Sequence, residues 1–213
     1  MRAGPSSENR MLTHGGSVAH SVQPQEGYVR ITVHMLQGSM RVIAGEFRSR
    51  RLKTLDGMAL RPTPDRLREA LFNVLGARVE GVTFLDAYAG SGSVGIEALS
   101  RGAAHAIFIE KHFSAARVIR ENLASLGLED RATVVQKGVV AALPRFEADM
   151  YFLDPPYAEA SEYETALSLL GERPALVLTQ HSKRFELAAA YGKLRRTRVL
   201  THGDNAISFF VVS

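Results

Sequence analysis

Short apolar runs alternate with stretches of helical periodicity between residues 82 and 180, and this alternation restricts the possible folds more than any other feature. The runs predict strands near 82–87, 105–109, 132–136, 148–153 and 175–180, and the intervening stretches predict helices near 93–101, 112–126, 138–144 and 160–170. Strands that are apolar along most of their length are buried on both faces, as in a parallel sheet covered by helices. The sequence therefore predicts an α/β fold with a mostly parallel sheet.

Two segments outside this alternation complete the predicted fold. KLRRTRVLTH and NAISFFVVS are strand-like and are separated by Gly203-Asp204, so they predict an antiparallel C-terminal hairpin that brings the sheet to seven strands. Upstream, RPTPDRLREALFNVLG predicts a helix with Thr63 as N-cap, Pro64 at the first helical position and Gly76 as terminator.

The composition restricts the class of protein. A chain of 213 residues, 46% of them hydrophobic, can form its own core, and no apolar run approaches the roughly 20 residues that cross a bilayer. The sequence has no cysteine, which excludes disulfides and thiolate metal sites, and its seven histidines show no ligand spacing. We therefore expect a cytoplasmic protein without a metal site, and we also expect a monomer.

The net positive charge is concentrated in one short segment. The whole chain carries +4, and residues 41–69 also carry +4, as eight basic minus four acidic side chains. Such clustering is typical of a surface that follows a phosphate backbone, although a solvated face can have the same composition. Within this segment, alternation in MRVIAGEFRSRRLKTLDG predicts a small basic β-ribbon over residues 40–60. The side chains expected to contact nucleic acid are Arg48, Arg50, Arg51, Lys53 and Arg61.

Residues 1–39 differ from the rest of the chain. They are rich in Ser, Gly, Gln and His, with one short apolar alternation at YVRITVHML. We expect this segment to be a disordered extension or a non-native leader, with Met40 as a candidate functional start.

The turn after the first predicted strand has a glycine pattern that two kinds of ligand share. DAYAGSGSVG places Gly90, Gly92 and Gly95 in a G-x-G-x-x-G array, and Glu110 ends the second strand, where a carboxylate can accept ribose hydroxyls. A dinucleotide and S-adenosylmethionine both satisfy this pattern. Asp86 favours the second, because a carboxylate ahead of the glycines suits a sulfonium and an ammonium better than a pyrophosphate. Gly95 is then expected to serve helix–strand packing.

The segment FLDPPY, residues 152–157, ends the fourth predicted strand with a carboxylate, two prolines and an aromatic ring. These groups suit an exocyclic amine of a nucleobase, whose lone pair is delocalised into the ring. Asp154 and the Pro155 carbonyl could accept the two N–H hydrogens, and Tyr157 could stack on the base. A rigid turn after a buried strand would use the same prolines. The interpretation as an amine-binding site therefore depends on Asp86 and Glu110 also standing at the ends of predicted strands.

Together these motifs resemble the bacterial family of ribosomal RNA small-subunit methyltransferase D. The resemblance runs from Met40 to the end of the chain and is carried by MRVIAGEFRSRRL, RPTPDRLREALFNVL, DAYAGSGSVGIEALSRGA, FIEK, FLDPPY and HGDNAISFF. It implies a Rossmann-like class I methyltransferase domain over residues 61–213, preceded by a ribbon that docks on RNA. It also implies S-adenosylmethionine as cofactor and the N2 amine of a guanine in 16S rRNA, within the small ribosomal subunit, as methyl acceptor.

Motif and resemblance together give the candidate site residues. Those for cofactor binding are Asp86, Ala89, Gly90, Ser91, Gly92, Glu110, Lys111, Gly138 and Val139, and those for catalysis are Asp154, Pro155, Pro156 and Tyr157. Two positions depart from the family: Gly138 stands where many relatives have an acidic residue, and Gln180 stands where a glutamate is frequent. We assign no role to Gln180 or His181, for which a strand end meeting a loop is the simpler explanation.

Three other functions are compatible with parts of the pattern. An adenine-N6 methyltransferase acting on DNA or RNA would use the same Asp-Pro-Pro-Tyr motif, but we identify no segment for reading base edges in DNA. A catalytically inactive RNA-binding module with this fold would not need three carboxylates at strand ends. A nicotinamide dehydrogenase would need a second domain and an acid–base pair, and neither is evident.

Overall fold

The computed structural model describes residues 40–55, 63–156, 160–173 and 175–213. Within these ranges eight strands form one sheet: β1 Thr83–Ala87, β2 His105–Glu110, β3 Ala132–Gln136, β4 Met150–Leu153, β5 Leu176–Ser182, β6 Ala190–Tyr191, β7 Leu194–His202 and β8 Asn205–Val212. Their order across the sheet is β3-β2-β1-β4-β5-β8-β7-β6. Strands β1 to β5 pair in parallel, whereas β8, β7 and β6 pair antiparallel. The predicted parallel sheet with an antiparallel C-terminal hairpin is confirmed.

Helices connect the parallel strands and cover both faces of the sheet. The α-helices of the described ranges are α1 Asp65–Leu75, α2 Ser93–Ser100, α3 Phe113–Leu126, α4 Val139–Ala142 and α5 Ala160–Leu169. Alternate residues of β1 face the two layers: Leu85 and Ala87 pack with α4 and α5, and Phe84 packs with α1 and α2. Phe108 of β2 packs with α2 and α3. Because both faces are covered, these strands are apolar along most of their length.

Two details of the predicted fold are wrong. The sheet has eight strands rather than seven, because Ala190–Tyr191 pairs with β7 as a two-residue edge strand that is too short to produce a period in the sequence. Helix α1 begins at Asp65, because Pro64 has an extended ψ of 139° and is itself the N-cap, the place predicted for Thr63. Gly76 ends α1 with a φ of 53°, as predicted. No helix in the described parts of the chain is both long and apolar enough to span a membrane.

Residues 40–55 form a compact segment, called here the N-terminal arm, that is attached to α2. In the part of the arm that the structure describes, a single antiparallel bridge joins Arg41 to Arg51, so the predicted ribbon is reduced to one pair. The carboxylate of Glu97 on α2 accepts hydrogen bonds from the backbone N–H groups of Ile43 (2.7 Å) and Ala44 (3.0 Å). The buried carboxylate of Glu97 therefore satisfies backbone N–H groups of the arm that a neighbouring strand would satisfy in a longer ribbon.

A second attachment joins the arm to α3. The buried side chain of Asn122 accepts a hydrogen bond from Lys53 N–H (2.8 Å) and donates one to the Lys53 carbonyl (3.1 Å). The same amide donates to the carbonyl of Ser91 (3.1 Å) in the loop after β1. The arm is thus linked to the glycine loop through one side chain. The rest of the predicted ribbon, at 56–60, lies outside the described residues, as do Arg61 and the leader at 1–39.

Candidate active site

A cavity of about 380 Å³ opens at the carboxyl edge of the parallel strands. It lies where the strand order reverses: β2 and β3 follow β1 on one side, and β4 and β5 lie on the other. Ligands of open α/β sheets bind at such a point, because the loops after the two neighbouring strands diverge there. The loops after β1 to β4 wall the cavity together with Met40, Thr54 and Leu55 of the N-terminal arm.

The loop after β1 has a left-handed backbone at three positions. Tyr88, Gly90 and Gly92 have φ values of 63°, 56° and 79°. Glycine adopts this conformation at little cost, whereas Tyr88 is strained in it and stands at the cavity wall. Gly90 lines the cavity, but Gly92 lies behind it, where a Cβ would come within 3.2 Å of the Ile119 side chain. In this structure Gly92 shapes the turn without lining the cavity.

Asp86 and Gly95 join the end of β1 to the first turn of α2. The Asp86 carboxylate, only 2% exposed, accepts a hydrogen bond of 2.9 Å from the Gly95 N–H. That N–H belongs to the positive end of the helix, which a dinucleotide would need for its pyrophosphate. Gly95 faces Phe108, because a Cβ at this position would lie 2.3 Å from a ring carbon. The helix N-terminus is therefore already occupied by a carboxylate, and Gly95 packs against the sheet as predicted.

Glu110 ties the end of β2 to the glycine loop. Its carboxylate, 3% exposed, accepts hydrogen bonds from the N–H groups of Gly90 (2.9 Å) and His112 (2.8 Å). Each carboxylate oxygen has a further lone pair. Glu110 can therefore accept ribose hydroxyls without losing the bonds that hold it.

Two buried donors hold the acceptors that follow β4. The side-chain amide of Gln180, on β5, donates a hydrogen bond of 3.0 Å to Asp154 Oδ2. The hydroxyl of Tyr163, on α5, donates one of 3.2 Å to the Pro155 carbonyl oxygen, which keeps a second lone pair. Sequence reasoning assigned neither donor a role. The parallel alignment of β5 with β4 could have indicated Gln180, whereas no local pattern marks Tyr163.

Burial raises the pKa of two carboxyls in this cavity. The pKa of Asp86 lies well above its ordinary value, first because of burial and then because Asp154 and Glu110 are near, and the Gly95 hydrogen bond opposes the rise. Burial raises the pKa of Asp154 to about 8, and the hydrogen bond from Gln180 opposes that rise. A cation bound between these groups would lower both pKa values.

The charges around the cavity determine which ligands fit it. Its described lining contains the carboxyl groups of Asp86, Glu110, Asp154 and Glu162 and a single lysine, Lys111. A pyrophosphate would be repelled here, whereas a ligand with sulfonium and ammonium groups would be attracted. The residues present therefore fit S-adenosylmethionine and do not fit a dinucleotide. Across the described ranges, no group of three or more His, Cys, Asp or Glu side chains is placed to hold a metal ion.

The structure brings most of the predicted site residues into this cavity. Those that line it are Asp86, Ala89, Gly90, Ser91, Glu110, Lys111, Gly138, Val139, Asp154, Pro155 and Pro156. Tyr157 lies outside the described residues. Residues that line the cavity without having been predicted include Met40, Thr54, Leu55, Thr63, Tyr88, His112 and Glu162. Several of these reach it from the arm and α5, so their place depends on tertiary packing and not on a local motif.

The described residues predicted to bind nucleic acid all lie on the N-terminal arm. Arg48, Arg50, Arg51 and Lys53 are exposed. Arg50 Nη2 donates a hydrogen bond of 2.9 Å to the Ser125 carbonyl, and Lys53 forms an ion pair of 2.8 Å with Glu121. No hydrogen bond or ion pair to another described residue engages the guanidinium groups of Arg48 and Arg51. These two side chains are therefore the most available to a phosphate.

Arg68 adds to the basic charge of residues 41–69 in the sequence, but it is not on the surface. Its side chain is fully buried, donates a hydrogen bond of 2.6 Å to the Arg41 carbonyl and lies 3.8 Å from the Glu97 carboxylate. Asp65, 3.1 Å away, is its second ionic partner. Part of the clustered charge thus attaches the arm to α1 and α2, and the basic surface is smaller than the sequence suggests.

Known proteins are similar in sequence to most of this chain. The family model described as Conserved hypothetical protein 95 matches residues 40–211. The Bacillus subtilis protein YlbH is 36% identical over 181 residues, which are 80% of this chain and 98% of YlbH. Ribosomal RNA small subunit methyltransferase D of Haemophilus influenzae is 40% identical over 143 residues, which are 64% of this chain and 72% of that protein.

Solved structures share the fold. The Escherichia coli protein yhhF matches with a TM-score of 0.72 at 29% identity, over 83% of this chain and 99% of that one. An RNA methyltransferase from Salinibacter ruber, solved with S-adenosyl-L-homocysteine, matches with a TM-score of 0.57 at 18% identity, over 71% of this chain and 93% of that one. The chain therefore has the class I methyltransferase fold and belongs to the family of ribosomal RNA small subunit methyltransferase D.

Proposed function

We propose that this protein transfers a methyl group from S-adenosylmethionine to the exocyclic N2 amine of a guanine in 16S rRNA within the small ribosomal subunit. The observation that carries the proposal is the convergence of Asp86, Glu110 and Asp154 on one cavity. Folding does not require carboxylates at these strand ends, and burial disfavours the charged forms of Asp86 and Asp154, so a ligand accounts for them better than stability does. Membership in the family, and the names of its relatives, support rRNA as the substrate.

The cofactor-binding part of the cavity follows from its hydrogen-bonding groups. Bound S-adenosylmethionine supplies a methyl group on a positively charged sulfur. Asp86 provides the negative charge that this cofactor requires, and Glu110 accepts its ribose hydroxyls. Gly138 and Val139 form the wall for the adenine, and a Cβ at Gly138 would meet no atom within 4 Å, so the backbone there is open to a ring. Backbone groups and apolar contact then replace the acidic residue that many relatives have.

The target amine is handled by the segment after β4. A guanine N2 is a poor nucleophile because its lone pair is delocalised into the ring. The Asp154 carboxylate and the Pro155 carbonyl accept its two N–H hydrogens, which restores lone-pair character and aims it at the methyl group. Because Gln180 and Tyr163 already hold these acceptors, little reorganisation is needed when the base arrives. Tyr157 is the aromatic side chain proposed to stack on the base.

RNA docks on the N-terminal arm. Arg48 and Arg51 contact phosphates, and the arm also contributes Met40, Thr54 and Leu55 to the cavity wall. The same short segment therefore carries both the two exposed arginines and part of the cavity wall. Recognition of the surrounding rRNA shape, and not of base edges, is what this small basic surface can supply.

The experiment that tests the proposal is methyl transfer from labelled S-adenosylmethionine to small ribosomal subunits, naked 16S rRNA and duplex DNA. We expect label in rRNA, recovered as N2-methylguanosine after digestion, and none in DNA. Recovery of N6-methyladenine instead would support the adenine enzyme, and absence of transfer with intact cofactor binding would support an inactive RNA-binding module. Asp154→Asn should abolish transfer while leaving cofactor affinity within about tenfold, measured by calorimetry.

A further inference from the structure

We propose that Gln180 is a positioning residue for Asp154: its amide fixes one carboxylate oxygen and favours the ionised, hydrogen-accepting form of that carboxyl group. The inference rests on the proposed function for what Asp154 does, and it adds a second residue to that site. From the sequence alone, Gln180 is the end of a strand and has no assigned role.

The position of Gln180 is fixed by the sheet on both sides. In the parallel pairing of β4 with β5, Leu153 lies opposite Thr179, so Asp154 and Gln180 are the next residues of adjacent strands. On its other side Gln180 pairs with Ile207 of the antiparallel strand β8. The side chain is 2% exposed, and its Nε2 lies 3.0 Å from Asp154 Oδ2. A buried amide on an interior strand has little freedom, so it holds the carboxylate in one orientation.

The chemistry of the amide explains the choice of side chain. Its N–H can only donate, and a carboxylate is a better acceptor for it than a protonated carboxyl group. The other ionisable groups that face this cavity come from three elements and the loops beside them: Asp86 and Tyr88 at the end of β1, Glu110, Lys111 and His112 at the end of β2, and Glu162 from α5. Burial raises the pKa of Asp154, and the Gln180 hydrogen bond is the interaction identified as lowering it. The glutamate that is frequent at this position in the family would have to be protonated to donate the same hydrogen bond.

The neighbouring histidine does not share this role. His181 Nδ1 lies 2.9 Å from the Ser182 carbonyl, and its Nε2 lies 2.9 Å from the Ser208 hydroxyl on β8. Both ring nitrogens are therefore engaged away from Asp154, and burial lowers the pKa of His181, which favours the neutral ring. The Gln180 amide thus acts on Asp154 without a second polar group from the same strand.

The test measures the ionisation of Asp154 directly. The ¹³C resonance of its carboxyl group, assigned by its loss in Asp154→Asn, is followed from pH 4 to 10 in the wild type and in Gln180→Leu, Gln180→Asn and Gln180→Glu. Loss of a hydrogen bond to a charged group should raise the midpoint by about one to two pH units in the Leu and Asn variants. In Gln180→Glu the two carboxyls should titrate in two coupled steps, one of them above the wild-type midpoint.

Single-turnover methyl transfer to rRNA, measured over the same pH range, is the second readout. The acidic limb of the profile of rate against pH should move to higher pH by the same interval. Below the midpoint the rate should fall about tenfold per pH unit. Ser208→Ala is the matched control, because it removes a buried partner on β8 from the neighbouring His181 but leaves the Gln180 bond to Asp154 intact. We expect it to leave both midpoints unchanged.

The outcomes separate this inference from the proposed function. An Asp154 midpoint that does not move in Gln180→Leu and Gln180→Asn overturns the inference, even if both variants lose activity. A shifted midpoint in a protein that methylates no rRNA overturns the proposed function and leaves the control of the Asp154 charge by Gln180 standing. The resonance needs only folded protein, and three variants of different size guard against the failure of one to fold.

Discussion

Replacing Gly95 with alanine tests whether this glycine serves packing or ligand approach. An added Cβ would lie 2.3 Å from Cε1 and 2.8 Å from Cζ of the fully buried Phe108 ring, whereas carbon atoms normally pack at about 3.5–4.0 Å. Moving a buried ring by that much costs about 3 kcal/mol, and the better helix propensity of alanine returns about 1 kcal/mol. We expect a net loss of about 2 kcal/mol, which lowers Tm by about 4–8 °C in a domain of this size.

Urea and thermal unfolding of purified protein measure this loss, with two comparison variants. Gly138→Ala adds a methyl group where no atom lies within 4 Å and φ is −63°, so its stability should stay within about 0.5 kcal/mol of the wild type. Phe108→Leu replaces the ring that the new methyl group would contact with a smaller side chain. In a double-mutant cycle with Gly95→Ala it should recover at least about 1 kcal/mol relative to the sum of the single changes.

Cofactor binding decides between the two roles of Gly95. If the glycine serves packing, Gly95→Ala should keep its S-adenosylmethionine affinity within about tenfold in the folded protein, by calorimetry. A variant as stable as the wild type that has lost the cofactor would refute the packing argument. It would mean that the ligand itself approaches the Gly95 backbone, as it does in dinucleotide-binding loops.

Three further predictions follow from the site and the arm. Tyr163→Phe removes the donor to the Pro155 carbonyl and should slow methyl transfer by about three- to tenfold with cofactor affinity unchanged; equal loss of both would indicate a structural defect. Replacing Arg48 and Arg51 together with alanine should reduce the slope of log RNA affinity against log salt concentration by about one unit per lost phosphate contact. Lys53→Ala should reduce this slope less, because Lys53 is paired with Glu121. Equal slopes in the wild type and both variants would contradict this difference. The folded-state pKa of Asp154, about 8, lies above its ordinary value of 3.8, so the stability of the free protein is greatest where Asp154 is protonated and is lost as pH rises through that pKa. Asp154→Asn should therefore be more stable than the wild type by a margin that grows between about pH 4 and 8, and a margin independent of pH would contradict the burial of this charge.

The sequence predicts this fold well because its strands are buried on both faces. Phe84 and Leu85 point to opposite helical layers, and both are fully buried, so successive residues of this strand are apolar without a period-2 alternation. The two residues of β6 carry no such signal. The start of α1 was misplaced by one residue because Thr-Pro is compatible with either residue as the cap, and the extended ψ of Pro64 decides it.

The site is predictable where a motif is local and unpredictable where contacts join distant segments. Asp86, Gly90 and Glu110 can be read from one strand-loop-helix-strand unit, and the structure places all three at the cavity. The bond from Gln180 to Asp154 joins residues 26 apart, and the attachment of Glu97 to Ile43 joins residues 54 apart. Charge counting was misleading for Arg68, because it cannot distinguish a cation on the surface from one buried beside Glu97.

The place of β8 in the sheet has a consequence for synthesis. β8 is the last of the eight strands in chain order, yet it lies in the interior of the sheet, between β5 and β7. A nascent chain emerging from the ribosome therefore has β5 with a bare edge until Asn205–Val212 has been made. Since β8 supports the strand that carries Gln180, a chain arrested before it could form the glycine loop but not the finished carboxylate wall. Synthesis of β8 would thus precede competence to modify RNA, so products truncated before β8 would be inert.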